Sequence, residues 1–319
     1  MTSDFRGRMV KVLQSAVQGI RRFAYNRPVA RVRSQKPGRL PRMGLALGGG
    51  FARGVAHVGV LKVLLENGIP INALAGTSAG SLAAAAFASG CSIHELVAAA
   101  RKLRWNRIAR WRFSRLGFAS NERMESVLSD LLHCRTFEQL KIPLAVVAAD
   151  VTTGEAVIFR EGSLILPIRA SCCFPGLFTP IAYRGRLLVD GVVAGSVPVA
   201  ALQEMDVDVI VGVHMTSTGS RPRPTNLFQV VGESFQIIEN LNQSKWRSRC
   251  DVVIEPKVQN VRWDEFERAD ELIAAGEAAA RAALPALRLL VQGQTARAPL
   301  PSRTARRPST AVLQPDLTA

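Results

Sequence analysis

Two glycine-rich turns constrain the fold of this chain most strongly, because each joins a short apolar run to a run of small residues. The first, Gly48-Gly49-Gly50-Phe51-Ala52-Arg53-Gly54, follows Gly44–Leu47, and the second, Gly76-Thr77-Ser78-Ala79-Gly80, follows Ile71–Ala75. A strand that runs through a tight turn into a helix is typical of α/β proteins, whose sites collect at the carboxyl ends of parallel strands. We therefore expect both turns at one edge of a single sheet.

The second turn has the G-x-S-x-G pattern of a nucleophile elbow, in which a strained turn pushes the serine hydroxyl outward. Gly76 and Gly80 flank Ser78 because a side chain at either position is expected to collide with a neighbouring strand or helix. Alone, this string is common and often only a turn. In the present context it predicts Ser78 as a nucleophile.

The first turn offers backbone N–H groups. Such donors stabilise a tetrahedral oxyanion by about 3–4 kcal/mol each. A phosphate-binding loop is the general alternative for glycines before a helix. No Gly-Lys-Ser/Thr follows, and the acidic residue that a dinucleotide fold needs about twenty positions later is replaced by the Ser78 elbow. The pattern favours an oxyanion hole.

A base is also needed near Ser78. Asp190-Gly191 follows the strand-like Leu187–Val189, so a carboxylate stands at a strand end and could accept the proton directly. An ordinary Asp-Gly turn is the alternative for this motif alone. His214 is the rival base, since Ser78, Asp190 and His214 follow the chain order of an α/β-hydrolase triad.

Taken in order, these motifs resemble the patatin-like phospholipase family, of the compact bacterial type related to the esterase domain of neuropathy target esterase. The resemblance runs from Gly44 to Val213 and includes Asp150–Glu155 and Arg169–Ser171 leading to Phe174–Phe178. It implies a Ser78–Asp190 dyad, a covalent acyl-Ser78 and no metal or organic cofactor. It also implies an oxyanion hole from the amides of Gly49, Gly50 and Phe51, and motif support from Gly48, Arg53, Gly54, Gly76, Gly80 and Gly191.

Two positions depart from the family pattern. Phe51 stands where the family prefers glycine, alanine or serine, so its side chain is expected to narrow the acyl site or redirect it. Val192 follows Asp190-Gly191 where glycine or alanine is usual. A β-branched residue tolerates a positive φ poorly, so we expect a different turn beside Asp190.

The hydrophobic pattern predicts an α/β fold with a mainly parallel central sheet between helices, a three-layer α/β/α arrangement. The predicted strands are Gly44–Leu47, Ile71–Ala75, Leu144–Ala149, Val157–Arg160, Leu187–Val189 and Val207–Val213. The predicted helices are Ala52–Asn67, Ile93–Arg104, Asn121–Leu132 and Asn226–Trp246. Residues 44–294 are assigned to the catalytic domain.

The net charge of +16 is concentrated at the termini. Residues 1–43 contain eleven Lys or Arg and one Asp, and interleaved apolar residues predict a basic amphipathic helix on an anionic membrane surface. A disordered leader or an organellar transit peptide are the alternatives, whereas the apolar run is too interrupted for a transmembrane span. The tail 295–319 is predicted to be disordered.

An internal segment, residues 101–115, combines seven Lys or Arg with Trp105, Trp111 and Phe113 and contains no acid. This combination suits an anionic membrane interface near Ser78, with a solvated basic helix and loop as the alternative. No nucleic-acid motif accompanies it, so no nucleic-acid partner is expected. The five cysteines lack metal-ligand spacing, which predicts no metal site and reduced thiols in a cytoplasmic protein.

The sequence therefore predicts a serine lipid acyl hydrolase that acts on a phospholipid, a lysophospholipid or another carboxylic ester, and that is cytoplasmic or peripheral at a membrane. A lipid acyltransferase with the same dyad is one alternative. A catalytically impaired, membrane-associated binding or regulatory protein is the other.

Overall fold

The computed structural model describes residues 39–215, 223–225 and 227–293, without the side chains of Phe113 and Phe228. The predictions for residues 1–38 and 294–319 therefore concern parts of the chain outside these ranges. At the start of the described chain, Arg39 pairs with Asp206 and Asp208, and the N–H of Arg42 donates to Asp208 Oδ2 at 2.9 Å. These bonds hold the chain where it enters the first strand.

A mixed sheet of eight strands forms the centre of the described chain, in the order β10-β9-β1-β2-β5-β8-β7, with β6 also paired to β5. The pairs β10–β9, β9–β1, β1–β2 and β2–β5 are parallel, while β6, β7 and β8 pair antiparallel. The strands are β1 (Met43–Leu47), β2 (Ala73–Thr77), β3 (Arg110–Ser114), β4 (Gly117–Ser120), β5 (Leu144–Asp150), β6 (Ala156–Phe159), β7 (Ile181–Tyr183), β8 (Arg186–Asp190), β9 (Val209–Val213) and β10 (Val252–Ile254).

Helices cover both faces of this sheet, as predicted for a three-layer α/β protein. They are α1 (Ala56–Glu66), α2 (Ala79–Ser89), α3 (Ile93–Lys102), α4 (Trp105–Ile108), α5 (Met124–Leu131), α6 (Ile165–Ser171), α7 (Val199–Gln203), α8 (Leu227–Asn242), α9 (Ser244–Arg247) and α10 (Ala269–Val291). Successive strand residues enter two different cores. Leu45 of β1 packs in the larger core with α1, α2 and α10, whereas Ala46 packs in the smaller one with α7 and Trp246. Central strands buried on both faces are therefore continuously apolar.

The crossing of α1 and α10 depends on two glycines. A Cβ on Gly59 would lie 2.0 Å from the carbonyl oxygen of Ile273, and a Cβ on Gly276 would lie 2.0 Å from that of Ala56. The two helix backbones are therefore in direct contact, which only glycine permits.

Several element predictions need correction. The predicted strand Ile71–Ala75 begins two residues later, because Asn72 instead uses its side chain and N–H to bond Met43 at the start of β1. The predicted helix Ala52–Asn67 begins as a 3₁₀ turn, Phe51–Val55, before α1, and Asn226–Trp246 is divided into α8 and α9. Helix α10 was not predicted.

The basic segment 101–115 is not a simple helix and loop. After the short helix α4, Arg110–Ser114 forms an antiparallel hairpin with Gly117–Ser120. The strand has alternating basic and aromatic residues, Arg110-Trp111-Arg112-Phe113, which is the two-residue period of a β-strand.

Candidate active site

Ser78 occupies the sharp turn between β2 and α2. Its backbone has φ 53° and ψ −128°, a conformation that is rare for a residue with a side chain. A Cβ on Gly76 would lie 2.4 Å from the Cα of Ser81, and one on Gly80 would lie 2.2 Å from the carbonyl oxygen of Leu47. Both glycines are thus required by close backbone contacts on either side of the serine.

The Ser78 hydroxyl donates a hydrogen bond to Asp190 Oδ2 at 2.7 Å. Asp190 ends β8, which pairs with β5 at Ala148, and β5 in turn pairs with β2, the strand that leads to Ser78. A Cβ on Gly191 would lie 2.2 Å from the carbonyl oxygen of Val147, so the residue after the aspartate also sits against the neighbouring strand. Sheet pairing brings together two residues that are distant in the sequence.

The Asp190 carboxyl group is almost fully buried, with 1% of its surface exposed. Burial raises its pKa from 3.8 to about 7, because the charged form loses its hydration. Hydrogen bonds from the N–H of Val192 and from the Ser78 hydroxyl oppose this effect without cancelling it. A carboxyl group with a pKa near neutrality is suited to accepting and returning a proton.

Val192 does not distort the turn beside Asp190. It lies in the 3₁₀ turn Gly191–Val193, and it is not among the described non-glycine residues with a positive φ, which are Phe51, Ser78 and Arg184. Its N–H donates to Asp190 Oδ1 at 3.0 Å. Val192 therefore does not need a positive φ in this turn, and the strain that its β-branched side chain would meet there does not arise.

The glycine loop approaches Ser78 from the end of β1. A Cβ on Gly49 would lie 3.4 Å from the Ser78 Cβ, but the Gly49 N–H already donates to the carbonyl oxygen of Ser196 at 3.1 Å. In this structure that N–H is therefore already paired, and the assignment of Gly49 to the oxyanion hole stays a prediction. Within the described chain, the N–H groups of Gly50 and Phe51 have no hydrogen-bond partner, so they are the donors that remain.

Phe51 adopts φ 49°, a left-handed conformation that is unusual for a bulky residue. Its ring makes edge contacts with Phe174 and Trp263, with centroids 5.1 Å away in both cases. Aromatic packing of this kind offsets local backbone strain. The bulky residue at this loop position is therefore held by the surrounding structure.

Two further side chains, those of Arg53 and His57, hold this loop. Arg53 Nε donates to the carbonyl oxygen of Val261 at 2.7 Å. His57, on α1, also supports the loop, because its Nε2 lies 2.8 Å from the carbonyl oxygen of Gly48. Burial lowers the His57 pKa to about 4, so the ring is neutral at pH 7 and Nε2 donates.

Ser171 was noted in the sequence only as part of a family motif. Its hydroxyl accepts the Ser78 N–H at 2.8 Å and donates to the carbonyl oxygen of Val147 at 2.6 Å. This fully buried hydroxyl ties the elbow to β5. Nothing in the spacing of the sequence distinguishes it from any other helix serine, because the contact forms only when α6 packs on the sheet.

His214 does not bond to the Ser78–Asp190 pair. Its Nε2 is hydrogen-bonded to Glu239 Oε1, and its Nδ1 lies 3.5 Å from Glu255 Oε1. Burial alone would lower its pKa, but the two carboxylates outweigh that effect and raise it. The triad order in the sequence is thus not matched by a triad in space.

A pocket that we call the α8 pocket opens above Ser78 and Asp190. Phe118 from the β3–β4 hairpin, Phe174 and one face of α8 form much of its wall. Its polar lining includes Arg53, Gln229, Glu233, Gln236 and Glu239. In the described part of the chain there is no cluster of His, Cys, Asp and Glu able to hold a metal ion, and no helix is long and apolar enough to cross a bilayer.

The mostly parallel sheet, the serine elbow at its edge and the buried carboxylate that faces the serine define this chain as an α/β protein with a candidate serine nucleophile. Residues 45–202 match the model of the patatin-like phospholipase family, so the chain contains a domain of that family. An uncharacterized NTE family protein of Mycobacterium tuberculosis is 35% identical over 185 residues, covering 57% of this chain and 51% of that protein. The chain thus spans about half the length of this relative.

Two more distant similarities extend over more of the chain. The lysophospholipase NTE1 of Pyricularia oryzae is 23% identical over 267 residues, covering 73% of this chain and 18% of that protein. The structure of VipD from Legionella pneumophila is matched with a TM-score of 0.47 and 12% identity, over 83% of this chain and 73% of that chain.

Proposed function

We propose that this protein is a serine lipid acyl hydrolase in which Ser78 is the nucleophile and Asp190 the general base. The observation that carries the proposal is the 2.7 Å hydrogen bond from the Ser78 hydroxyl to the buried Asp190 carboxyl group. The family match and the lysophospholipase name of the Pyricularia relative support a lipid ester as substrate.

The proposed reaction has two halves. Ser78 Oγ attacks the ester carbonyl carbon while Asp190 takes the hydroxyl proton, and the N–H groups of Gly50 and Phe51 stabilise the oxyanion. Asp190 then protonates the departing alcohol, which leaves an acyl-Ser78 ester. Water gives a proton to Asp190 and attacks this ester, and the fatty acid leaves as Ser78 recovers its proton.

A fluorophosphonate probe tests the nucleophile, because it reacts only with an activated serine. We expect labelling of the wild-type protein and none of Ser78→Ala. Ser196→Ala is the matched control, since the Ser196 hydroxyl is also buried but has no partner in the described chain. Labelling that persists in Ser78→Ala would overturn the proposal.

Two variants then test the base. Asp190→Asn should lower kcat about 10³–10⁴-fold, whereas His214→Ala should retain most of the activity, because His214 bonds Glu239 rather than the reacting pair. Release of free fatty acid from a phospholipid or lysophospholipid is the readout. The opposite ranking of the two variants would make His214 the base.

We also propose that the enzyme docks on an anionic membrane through the surface beside the α8 pocket. The β3–β4 hairpin exposes Trp111, Leu116 and Phe118, and Phe118 also lines the pocket. Arg110 and Arg115 are exposed on the same hairpin without an ion pair in the described chain. Aromatic and basic residues together suit the headgroup region of a bilayer.

Helix α8 extends this surface. Its exposed residues with described side chains are Ser234 and five large apolar residues, Leu227, Val230, Ile237, Ile238 and Leu241. Their spacing places them on one face of the helix, while the opposite face lines the pocket, to which Leu227 at the start of the helix also contributes. An apolar stripe that remains exposed beside a pocket marks an interaction surface.

The membrane proposal is tested with vesicles of anionic and of neutral lipid. Replacing Arg110 and Arg115 by Gln should weaken binding to anionic vesicles about 30-fold, at about 1 kcal/mol per charge. The same change at Arg184, in the turn between β7 and β8, and at Arg186, the first residue of β8, is the control and should have little effect. Equal binding by both variants would refute this docking surface.

A further inference from the structure

A second pocket meets the α8 pocket at the proposed nucleophile. This α3 pocket lies between the 3₁₀ turn at Phe51–Val55, α1, α2, α3 and α5. The residues that line both pockets are Ser78 and Phe51. Two cavities therefore meet at the same serine, and one aromatic residue, Phe51, lines both of them.

The two pockets differ in chemistry. The α3 pocket is lined by apolar side chains such as Val58, Leu82, Leu96 and Val127, and no residue in its lining carries a charge. Its one thiol, that of Cys172, is buried, and burial raises the pKa of this thiol well above 9, so it stays neutral. The α8 pocket, by contrast, contains the charged groups of Arg53, Glu233 and Glu239.

Acyl transfer to a serine requires separate space for two parts of the substrate, the acyl chain and the alcohol. In the tetrahedral intermediate, the carbon attached to Ser78 Oγ carries the acyl chain on one bond and the alcohol oxygen on another. These two substituents must leave the reacting centre in different directions. An alkyl chain gains by burial in an uncharged pocket, whereas a polar alcohol or headgroup is better placed among charged and amide side chains.

We infer that the α3 pocket binds the acyl chain of the substrate, that the α8 pocket holds its alcohol portion, and that Phe51 forms the wall between them. This inference rests on the proposed hydrolase function. Phe51 can act as a fixed wall because its ring packs against Phe174 and Trp263. Its bulk, which departs from the family pattern, therefore directs a single chain towards α3 and α5.

The test is the acyl-length dependence of hydrolysis of p-nitrophenyl esters from acetate to decanoate. In the wild-type protein, kcat/KM should rise up to about fourfold per methylene until the pocket is filled. Ala99→Trp places an indole in the α3 pocket and should reduce kcat/KM for decanoate at least tenfold while acetate hydrolysis is retained.

Ala98→Trp is the matched control. Ala98 and Ala99 are adjacent, half-buried residues of α3, but only Ala99 lines the pocket. Val127→Trp, which enters the pocket from α5, provides a second and independent obstruction. Labelling of Ser78 by a short-chain fluorophosphonate verifies that each variant is folded.

The outcomes separate this inference from the proposed function. Loss of long-chain selectivity in Ala99→Trp and Val127→Trp, but not in Ala98→Trp, supports the assignment. Ser78-dependent hydrolysis with the same length profile in all four proteins would overturn the acyl-pocket assignment alone. Absence of Ser78-dependent hydrolysis of every ester in the wild-type protein would overturn the hydrolase proposal, and this inference with it.

Discussion

At the scale of single residues, the ionisation of Asp190 is the property that controls the proposed chemistry. A carboxyl group accepts a proton only when it is ionised, and burial raises the pKa of Asp190 to about 7. We therefore expect kcat/KM for a soluble ester to rise with pH, about tenfold per unit below pH 6, and to level off above pH 8. A profile without an inflection between pH 6 and 8 would contradict this role.

The same pKa predicts a pH-dependent cost in stability. The pKa of Asp190 in the folded protein, about 7, lies above the ordinary aspartate value of 3.8, which applies to the unfolded chain. The folded protein therefore binds the Asp190 proton more tightly than the unfolded chain does. Proton binding stabilises the fold below pH 4, and this stabilisation is lost as the pH rises through 7. Asp190→Asn removes the charge. The melting temperature of this variant minus that of the wild-type protein should therefore increase by several degrees between pH 5 and pH 8. A difference independent of pH would contradict the assigned pKa.

At position 51, replacement by glycine should destabilise the protein less than replacement by alanine, which is the reverse of the usual order. Its φ of 49° strains any residue with a Cβ, by about 1 kcal/mol, and does not strain glycine. Both Phe51→Gly and Phe51→Ala lose the ring contacts, but we expect the glycine variant to be the more stable of the two in urea unfolding. At Ala98, within α3, the ordinary order should hold, with Ala98→Gly less stable than wild type by about 1 kcal/mol.

At the scale of elements, local sequence predicted six strands of the central sheet but missed β7 and β10, the strands at the two ends of its strand order. β1, β5 and β8 were predicted to within one residue at each end, because an apolar run bounded by glycine or a charged residue fits a buried strand. The β3–β4 hairpin, β7 and β10 were not predicted. Their short sequences carry little periodicity, and their pairing partners determine their strand conformation.

The contact between α1 and α10 is the sharpest test at this scale. Gly59→Ala or Gly276→Ala would force a methyl group to within 2.0 Å of a carbonyl oxygen on the facing helix. We expect each change to destabilise the fold by about 3 kcal/mol, because the two backbones must separate. Gly232→Ala in α8, where none of the described atoms lies within 4 Å of the added Cβ, should instead stabilise by about 0.5–1 kcal/mol. Thermal unfolding that ranks all three variants alike would contradict this packing.

At the scale of the whole molecule, the positive charge concentrated at the termini fits the proposal that the protein binds an anionic membrane. The leader predicted as a basic amphipathic helix lies outside the described residues, and its role stays a prediction. Replacing its apolar residues Leu13, Val17 and Ile20 by Ser keeps the charge but should weaken binding to anionic vesicles at least tenfold. Hydrolysis of a soluble ester should be unaffected. Unchanged vesicle binding in a sedimentation assay would favour an unstructured leader.

The predicted pair Ser78 and Asp190 lies within hydrogen-bond distance, and the predicted three-layer α/β fold is confirmed. Both could be predicted because their signals are local. A glycine is needed wherever a backbone passes within van der Waals distance of a tight turn, and a strand covered on both faces must be apolar along its length.

Sequence by itself determined the elbow at Ser78, the glycine loop and the short buried strands, because each depends on residues adjacent in the chain. Tertiary structure alone decided which donors and bases remain available around Ser78. The Gly49 N–H is taken by Ser196, His214 is taken by Glu239, and the Ser78 N–H is taken by Ser171. These partners are far apart in the sequence, and only the packing of the helices and loops around the sheet brings them within the short range of a hydrogen bond.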